Sequence, residues 1–324
     1  MNILVTGGAG YIGAITSNLL KQNGHQITIL DSLEYHSQDK IRNFDVIKGH
    51  TYDYELVFNT LKKHNIDAVI HFAAFIEAGE SMQNPGKYFY NNYVGSLKLL
   101  DAMVEAGVDK LVFSSTAAVY GIPRETPIRE TAPKQPINPY GESKRMVEKT
   151  LNWYSQIHNL KSISLRYFNA SGAALDGSLG EDHMPETHLI PNIINTHKQG
   201  KPFTLFGEDY NTQDGTCIRD YIHIQDLASA HIVALDALQK GHQTDVFNVG
   251  TGTGYSIKQI IQMVEKISGE KIDVTIGPRR PGDPDELIAD STKIQTQLGW
   301  KPRHSDLKTI IQTAWDWHTI NSSK

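Results

Sequence analysis

The sequence TGGAGYIG occupies residues 6–13 and follows directly on the apolar run at residues 3–5. Glycines at positions 7, 10 and 13 permit a tight turn, a close approach of the backbone to a pyrophosphate, and close packing of a helix on the preceding strand. Amide groups at the start of that helix would face the anion. The motif stands at the first junction of a strand and a helix, so it predicts a dinucleotide site. The residues expected to contact the cofactor here are Gly7, Gly10, Tyr11, Ile12 and Gly13.

Two further strand ends are expected at this site. Asp31 closes the second apolar run, where a carboxylate accepts hydrogen bonds from an adenosine ribose and repels a 2′-phosphate, which favours NAD over NADP. A later run closes with three residues, two of them alanines, and the small residues there would leave room for the cofactor at the carboxyl edge of the sheet; simple packing is the alternative explanation. These residues are Phe72, Ala73 and Ala74.

Strand and helix patterns alternate through the first half of the chain. Short runs rich in branched apolar residues predict buried parallel strands at 3–5, 26–30, 68–72, 111–113 and 162–165. Segments with helical spacing separate them, at 12–22, 54–64, 96–105 and 141–158. The pattern predicts an α/β fold with a doubly wound, Rossmann-like parallel sheet. Residues 1–170 are expected to form this NAD-binding domain, and residues 171–324 a smaller mixed lobe for the substrate, with segments free to cross between the two.

A tyrosine and a lysine lie four residues apart in Pro139-Tyr140-Gly141-Glu142-Ser143-Lys144. On a helix both side chains face the same way. A tyrosine has a pKa of about 10, and a nearby ammonium favours its phenolate, which then exchanges a proton with a substrate hydroxyl. The Ser114-Ser115-Thr116 run, which closes the strand before this helix, offers a hydroxyl that would hold the same oxygen. A solvated helix face is the alternative explanation for the pair, and the upstream glycine motif argues against it.

The composition excludes several functions. With 31 basic and 36 acidic residues, the chain has no excess of positive charge that would indicate nucleic-acid binding. Cys217 is the only cysteine, which excludes an internal disulfide and a thiolate metal cage and favours a reducing cytoplasm. No run predicts a signal peptide or a membrane span. The 14 histidines form no HExxH pattern, so no metal is expected.

These motifs together resemble the extended short-chain dehydrogenase/reductase family, and within it the enzymes that epimerise nucleotide sugars. The resemblance extends over nearly the whole chain, and the order and spacing of the motifs are more specific than any one of them. The matching segments are 7–13, 78–81, 91–92, 114–121, 138–144, 166–169, 206–215, 219–223 and 279–283.

The resemblance implies a reversible, NAD-dependent inversion at C4 of a UDP-hexose, UDP-galactose to UDP-glucose, through a 4-ketosugar. Tyr140 would be the acid/base, with Lys144 and Thr116 beside it. It also implies that Asn91 and Tyr167 contact the cofactor. The substrate contacts it implies are Thr116, Asn169, His188, Arg219, Arg280, Asp283 and Leu287.

Other functions remain open at this stage. A nucleotide-sugar dehydratase needs an Asp-Glu pair after the catalytic threonine, where this chain has Ala117-Ala118. A 4-epimerase of a UDP-N-acetylhexosamine, a UDP-pentose or a UDP-uronic acid would share the motifs. A non-catalytic NAD sensor would have no need to keep Tyr140, Lys144 and Thr116 together.

The chain departs from the family pattern around the cofactor and at the sugar. His50 stands where many members have an acidic residue near adenine, Ile76 where they have a lysine, and residues 32–36 lack the usual asparagines. Each lost contact would weaken NAD retention by about 1–3 kcal/mol. Leu287 replaces a tyrosine common at the substrate gate, and its smaller volume would admit an N-acetyl group. The resemblance also implies a homodimer packed through the helices that contain residues 96–105 and 140–158.

Overall fold

Parallel strands form the centre of the molecule. The computed structural model describes residues 1–182, 186–280 and 282–321. The strands are β1 Asn2–Thr6, β2 Gln26–Asp31, β3 Asp45–Lys48, β4 Ala68–His71, β5 Lys110–Thr116, β6 Lys161–Tyr167, β7 Asn169–Ser171, β8 Phe203–Phe206, β9 Ile218–His223, β10 Asp245–Val249, β11 Gly254–Ser256, β12 Val274–Gly277 and β13 Glu286–Leu287.

Helices connect most of these strands. They are α1 Tyr11–Gln22, α2 Tyr54–Lys63, α3 Ala78–Gln83, α4 Pro85–Tyr88, α5 Gly95–Ala106, α6 Pro139–His158, α7 Leu189–Lys198, α8 Ile224–Gln239, α9 Ile257–Ser268, α10 Thr292–Leu298 and α11 Leu307–Asn321. Short 3₁₀ helices span Gln38–Ile41 and Ala117–Tyr120, and a π-helix spans Phe89–Val94. Among the described helices, none is long and apolar enough to cross a membrane.

The main sheet has seven strands in the order β10-β6-β5-β4-β1-β2-β3, and every pair is parallel. The chain runs outward from β1 in one direction to β3 and then in the other from β4, so the strand order reverses between β1 and β4. In such sheets ligands bind outside the carboxyl ends of the strands at this reversal. The doubly wound, Rossmann-like fold predicted from the alternating pattern is confirmed.

Helices cover both faces of this sheet. Helices α1 and α8 pack on one face, where Ile15 and Leu227 join the core around Ile3 and Val5. Helices α2, α5 and α6 pack on the other, around Leu4 and its neighbours. Apolar side chains point from the central strands to both faces, which is why these strands lack a polar alternation in the sequence.

The sequence pattern does not predict two strands of the main sheet. Strand β3 has only two apolar residues, Val46 and Ile47, between charged ends at the sheet edge. Strand β10 comes from the second half of the chain and pairs with β6, with Asp245 opposite Ile163. The chain therefore returns to the main sheet after residue 171, and the expected boundary between residues 170 and 171 stays a prediction.

The second half of the chain also builds a smaller region. Strand β9 pairs with β11, β13 and β7, and a separate parallel pair joins β8 to β12. Helices α7, α9 and α11 enclose a core of their own with these strands, which includes Ile194, Ile260 and Ile310. The predicted smaller mixed lobe is present, and β7 follows directly on β6 at its border with the main sheet.

A buried carboxylate, Asp220, holds three segments of the smaller region together. Its oxygens accept hydrogen bonds from the backbone N–H groups of Thr251 at 2.9 Å and of Gly252 and Ala289 at 3.1 Å. The Thr251 hydroxyl donates a further bond at 2.7 Å. Strand β9 is thereby fixed to the turn after β10 and to the residues after β13.

Asp220→Ala leaves these buried donors without an acceptor, and each such group costs about 1–3 kcal/mol. We expect the free energy of unfolding to fall by about 3 kcal/mol or more, measured by urea denaturation. Asp209→Ala is the matched control, because that carboxylate is largely exposed and should change stability by less than about 0.5 kcal/mol. Equal losses in the two variants would contradict the role of Asp220.

Candidate active site

A cavity of about 910 Å³ opens at the carboxyl edge of the main sheet. All the residues predicted to bind the cofactor line it, and so do five of those predicted for catalysis or substrate, among them Lys144 and Asn169. The predicted residues in its wall are Gly7, Gly10, Tyr11, Ile12, Gly13, Asp31, Phe72, Ala73, Ala74, Asn91, Thr116, Tyr140, Lys144, Tyr167, Asn169 and His188. The topology therefore brings these residues together.

The glycine loop leaves no space for side chains. A Cβ on Gly13 would lie 2.2 Å from the carbonyl oxygen of Gly7, and a Cβ on Gly7 would lie 2.6 Å from the backbone nitrogen of Ala73. Gly7 also has a φ of +72°, a conformation that favours glycine. Helix α1 begins at Tyr11, and the side chains provide no cap for its first amide groups. The loop is a backbone-lined cradle at a helix N-terminus, which fits a pyrophosphate.

Asp31 is held beside this cradle by backbone groups. Its two carboxylate oxygens accept hydrogen bonds from the N–H groups of Ala9 and Leu33, each at 2.9 Å. Leu33 adopts a φ of +57°, which turns the chain back toward the carboxylate. The fixed negative charge fits a ribose with free hydroxyls and disfavours a 2′-phosphate. The residues present therefore fit NAD.

The predicted catalytic groups converge at the end of β5. Asn138 caps α6, its side chain accepting a hydrogen bond from the N–H of Gly141 at 2.8 Å, and this places Tyr140 in the first turn. Lys144 lies one turn later, is buried, and donates from Nζ to the carbonyl oxygen of Ser114 at 2.8 Å. The Ser114 hydroxyl hydrogen-bonds the Tyr167 hydroxyl at 2.5 Å.

Burial governs the electrostatics of this group. Burial lowers the pKa of Lys144 to about 7, although the Glu148 carboxylate acts in the opposite direction. Burial raises the pKa of Tyr140, and the hydroxyl of Thr116 opposes that rise. Burial and the nearby Lys144 lower the pKa of His71 to about 3, so that imidazole is neutral. The cation and the phenol thus share a buried site in which burial disfavours the charged form of each group.

The substrate side of the cavity contains Asn169 and His188. Asn169 donates from its amide to the carbonyl oxygen of Asp220 at 2.9 Å, which ties the end of β6 to β9. The imidazole of His188 lies 2.8 Å from the Glu181 carboxylate and 3.3 Å from that of Glu186. Burial opposes its charge, but the two carboxylates outweigh burial and raise the pKa of His188 to about 10. His188 is therefore an imidazolium at neutral pH.

This trio is also a group with the chemistry of metal ligands. Within the described parts of the chain, the ligand atoms of Glu181, Glu186 and His188 all lie within 4.8 Å of one another. No metal was expected from the sequence. The ion pairs already satisfy the imidazolium, and a metal would first have to displace its proton.

Four predicted substrate residues lie outside the wall of this cavity. Arg219, on β9, donates a hydrogen bond to Asp283. The Tyr210 hydroxyl donates to the same carboxylate at 3.3 Å. The Arg280 guanidinium lies 4.4 Å from the centre of the Phe206 ring. These groups cluster on the smaller lobe, and their roles stay predictions.

Leu287, the fourth of these residues, is half-buried in β13, where it pairs with Arg219 of β9. It packs against a small apolar cluster containing Val119 and Tyr120, which directly follow the Thr116 strand end. Phe168, in the cavity wall, packs on the same cluster. Leu287 therefore lies between the cavity and the Arg219 cluster, and its role as a gate stays a prediction.

The wall also contains residues that the sequence did not indicate. Lys87 lies 4.2 Å from the centre of the Phe75 ring and pairs with Glu80 at 2.7 Å. Lys87 places an ammonium group in the cavity wall, whereas Ile76, which stands where many family members have a lysine, is apolar. Both residues line the wall. His50 pairs with Glu34 at 3.4 Å. Spacing in the sequence gives no signal for such contacts.

Another unpredicted contact crosses the cavity. The hydroxyl of Thr187 donates to the carboxylate of Glu77, with its oxygen 2.9 and 3.0 Å from the two carboxylate oxygens. Glu77 follows β4, whereas Thr187 precedes α7 in the smaller lobe. Both residues line the cavity, so this bond joins its two sides.

The short-chain dehydrogenase/reductase class combines a doubly wound sheet, a glycine cradle with an acidic residue beside it, and a tyrosine–lysine pair. This chain has all three features, with Asp31 at the cradle and Tyr140–Lys144 at the end of β5. The comparisons with known proteins specify it further. The chain belongs to the NAD dependent epimerase/dehydratase family, whose model matches residues 3–250. The resemblance inferred from the motifs is confirmed.

Individual relatives are similar over almost their full lengths. The UDP-glucose 4-epimerase of Lactobacillus helveticus is 49% identical over 320 residues, which are 98% of this chain and 97% of that protein. The crystal structure of UDP-glucose 4-epimerase from Brucella ovis in complex with NAD is 43% identical, with a TM-score of 0.95 and 97% of each chain covered. That of the Bifidobacterium longum enzyme in complex with NAD⁺ and UDP is 36% identical, with a TM-score of 0.92 and 99% of each chain covered.

Gly13→Ala inserts a methyl group into the contact between α1 and Gly7, and the helix must shift away from the cradle. Overpacking of this kind costs about 1–3 kcal/mol, so we expect NAD affinity to fall by about 10- to 100-fold in calorimetric titration. Gly86→Ala is the matched control, because its Cβ would meet open space in α4. Unchanged NAD affinity in folded Gly13→Ala protein would show that the cradle does not bind the cofactor.

Proposed function

We propose that this chain interconverts UDP-galactose and UDP-glucose by NAD-dependent inversion at C4. One observation carries the proposal: the cavity that contains the glycine cradle also contains the Tyr140–Lys144 pair and Thr116, and a wall from the smaller lobe completes it. A cofactor cradle and an acid/base pair in one enclosed space are what oxidation and reduction at a single carbon require.

Bound NAD would lie on Gly7, Gly10 and Gly13 with its ribose at Asp31, and its chemistry is the acceptance and return of a hydride. Tyr140 takes the proton of the sugar 4-hydroxyl and gives it back after the 4-ketosugar has rotated in the site to present its opposite face. Lys144 stabilises the phenolate, and Thr116 holds the same sugar oxygen. The removal and return of one proton leave the protein unchanged after each cycle.

The diphosphate of the substrate is assigned to cationic groups of the smaller lobe. The imidazolium of His188 at the far wall is balanced by Glu181 and Glu186 and would serve as a hydrogen-bonding group. Arg219 and Arg280 on the smaller lobe add guanidinium groups of the kind that bind phosphate by paired hydrogen bonds. We assign the uridine half of the substrate to this lobe, with Asn169 at its border with the catalytic group.

An exposed apolar patch and the single cysteine support the proposed homodimer and the proposed cellular location. Trp153 and Ile157 project from α6 with 63% and 65% of their surface exposed, although both are large and apolar. We propose that these side chains pack against a second copy, through α5 and α6, in a homodimer. We assign the chain to the cytoplasm, where the single free cysteine, Cys217, would stay reduced.

Tyr140→Phe removes the hydroxyl that exchanges the proton and keeps the ring. We expect the kcat for conversion of UDP-galactose to fall by about 10²- to 10⁴-fold, measured by chromatography of the products, because general acid–base catalysis is lost. Binding of NAD and of UDP should stay within about threefold by calorimetry, since the ring still fills its place. Undiminished turnover in this variant would remove Tyr140 from the mechanism.

A UDP-N-acetylhexosamine is a second candidate substrate, because the side chain of Leu287 is smaller than the tyrosine common at the family's substrate gate. Leu287→Tyr fills that space, so we expect kcat/KM for UDP-N-acetylglucosamine to fall at least about tenfold while that for UDP-galactose changes little. Leu287→Met, of similar volume, is the control. A wild-type protein that converts UDP-galactose but not UDP-N-acetylglucosamine would eliminate this second substrate.

A further inference from the structure

A buried ion pair lies directly behind the catalytic group. Arg166 on β6 donates from Nε to one carboxylate oxygen of Glu148 at 2.8 Å and from a terminal nitrogen to the other at 2.5 Å. The hydroxyl of Ser115 donates to Glu148 at 2.6 Å. Glu148 and Arg166 are only 7% and 3% exposed. Both carboxylate oxygens are therefore occupied in a rigid, dehydrated arrangement.

The partners of Glu148 adjoin the catalytic residues along the chain. Glu148 lies one turn after Lys144 on α6, so the two side chains leave the helix on one face. Ser115 stands between the two β5 residues of the site, Ser114 and Thr116, and it is in register with Arg166 across the β5–β6 pair. The ion pair thus joins the helix of the catalytic pair to both strands of the site.

Arg166 is itself fixed on its far side. Its other terminal nitrogen donates to the Tyr120 hydroxyl at 2.8 Å, and that hydroxyl donates to the Asn248 side chain on β10 at 2.6 Å. The guanidinium also lies 5.0 Å from the centre of the Tyr120 ring. A single network therefore extends from α6 through β5 and β6 to β10.

The charged groups around Lys144 and Glu148 come from several elements. Lys144 faces Glu148 on its own helix and His71 on β4, whose burial keeps it neutral. Glu148 faces Arg166 on β6 and the half-buried Lys134 before α6. Lys144 is 3% exposed, so a nearby anion has a large effect on whether it keeps its proton.

We propose that Glu148 is a positioning residue: its ion pair with Arg166 fixes α6 against β5 and β6, and its charge keeps Lys144 cationic beside Tyr140. The part that concerns turnover rests on the proposed function, whereas the charge of Lys144 does not. Removal of the carboxylate withdraws the anion and leaves the Arg166 cation. Loss of the anion, with the cation left uncompensated, favours loss of the Lys144 proton, so Lys144 should titrate at lower pH.

The test compares Glu148→Gln with Glu142→Gln, since Glu142 pairs with Arg145 on the first turns of the same helix, away from the network. In full-length protein labelled with ¹³C at lysine Cε, NMR titration follows Lys144, whose signal is the one missing from Lys144→Met. We expect the midpoint to fall by about half a pH unit or more in Glu148→Gln and to stay within about 0.2 unit in Glu142→Gln. An unchanged midpoint in Glu148→Gln would overturn the proposal.

Because Glu148→Gln leaves Arg166 buried without a partner, Glu148→Gln/Arg166→Met provides a neutral core, in which we expect a smaller fall in the same direction because the cation is removed together with the anion. The alkaline limb of the kcat profile with UDP-galactose should move in parallel, with KM within about twofold. If Glu148 had only a structural role, Glu148→Gln would lower thermal stability and leave both titrations unchanged. That result would contradict the proposal. A shifted Lys144 titration in a protein without turnover would instead refute the proposed function alone.

Discussion

The parallel pairing of β5 with β6 is the constraint on which the site depends. The two strands run in register from Lys110 opposite Lys161 to Thr116 opposite Tyr167. Helix α6 is part of the connection between them, so its N-terminal turns must return across the end of the same strands. Tyr140 and Lys144 are therefore delivered to the edge where Thr116 ends, and the glycine loop after β1 opens on that edge as well.

Placing a cation at this edge costs desolvation, and the Glu148 carboxylate offsets part of that cost. Lys144 is almost fully buried, donates a hydrogen bond to a backbone carbonyl, and has this carboxylate one turn away. Its pKa near 7 means that small electrostatic changes alter its charge at physiological pH. In the proposed reaction this cation would stabilise the phenolate of Tyr140, which is the form that accepts a proton from a sugar hydroxyl. Stability and chemistry thus depend on the same buried charges.

Local sequence was sufficient for the features that follow from backbone geometry. The glycine spacing at residues 7–13, Asp31 at a strand end and the Tyr140–Lys144 spacing each have a local physical cause, and all of them line one cavity. Strand β10 was beyond local reasoning because it is defined by pairing with β6, far away in the sequence. The same holds for the contacts of Glu148 with Arg166 and of His188 with Glu181, which tertiary packing creates. Arg219 and Arg280 were expected at the substrate and lie on the smaller lobe outside the cavity wall.

The proposed cycle requires that the hydrogen of C4 stay within the site: NAD held on the glycine cradle would accept it and return it to the opposite face of C4. Conversion of UDP-galactose by the purified protein in D₂O, followed by NMR of the UDP-glucose formed, tests it most directly. We expect inversion at C4 with protium retained at that carbon, because the hydride never exchanges with solvent while Tyr140 exchanges only the hydroxyl proton. Deuterium at C4, or no inversion by NAD-loaded protein, would contradict the account.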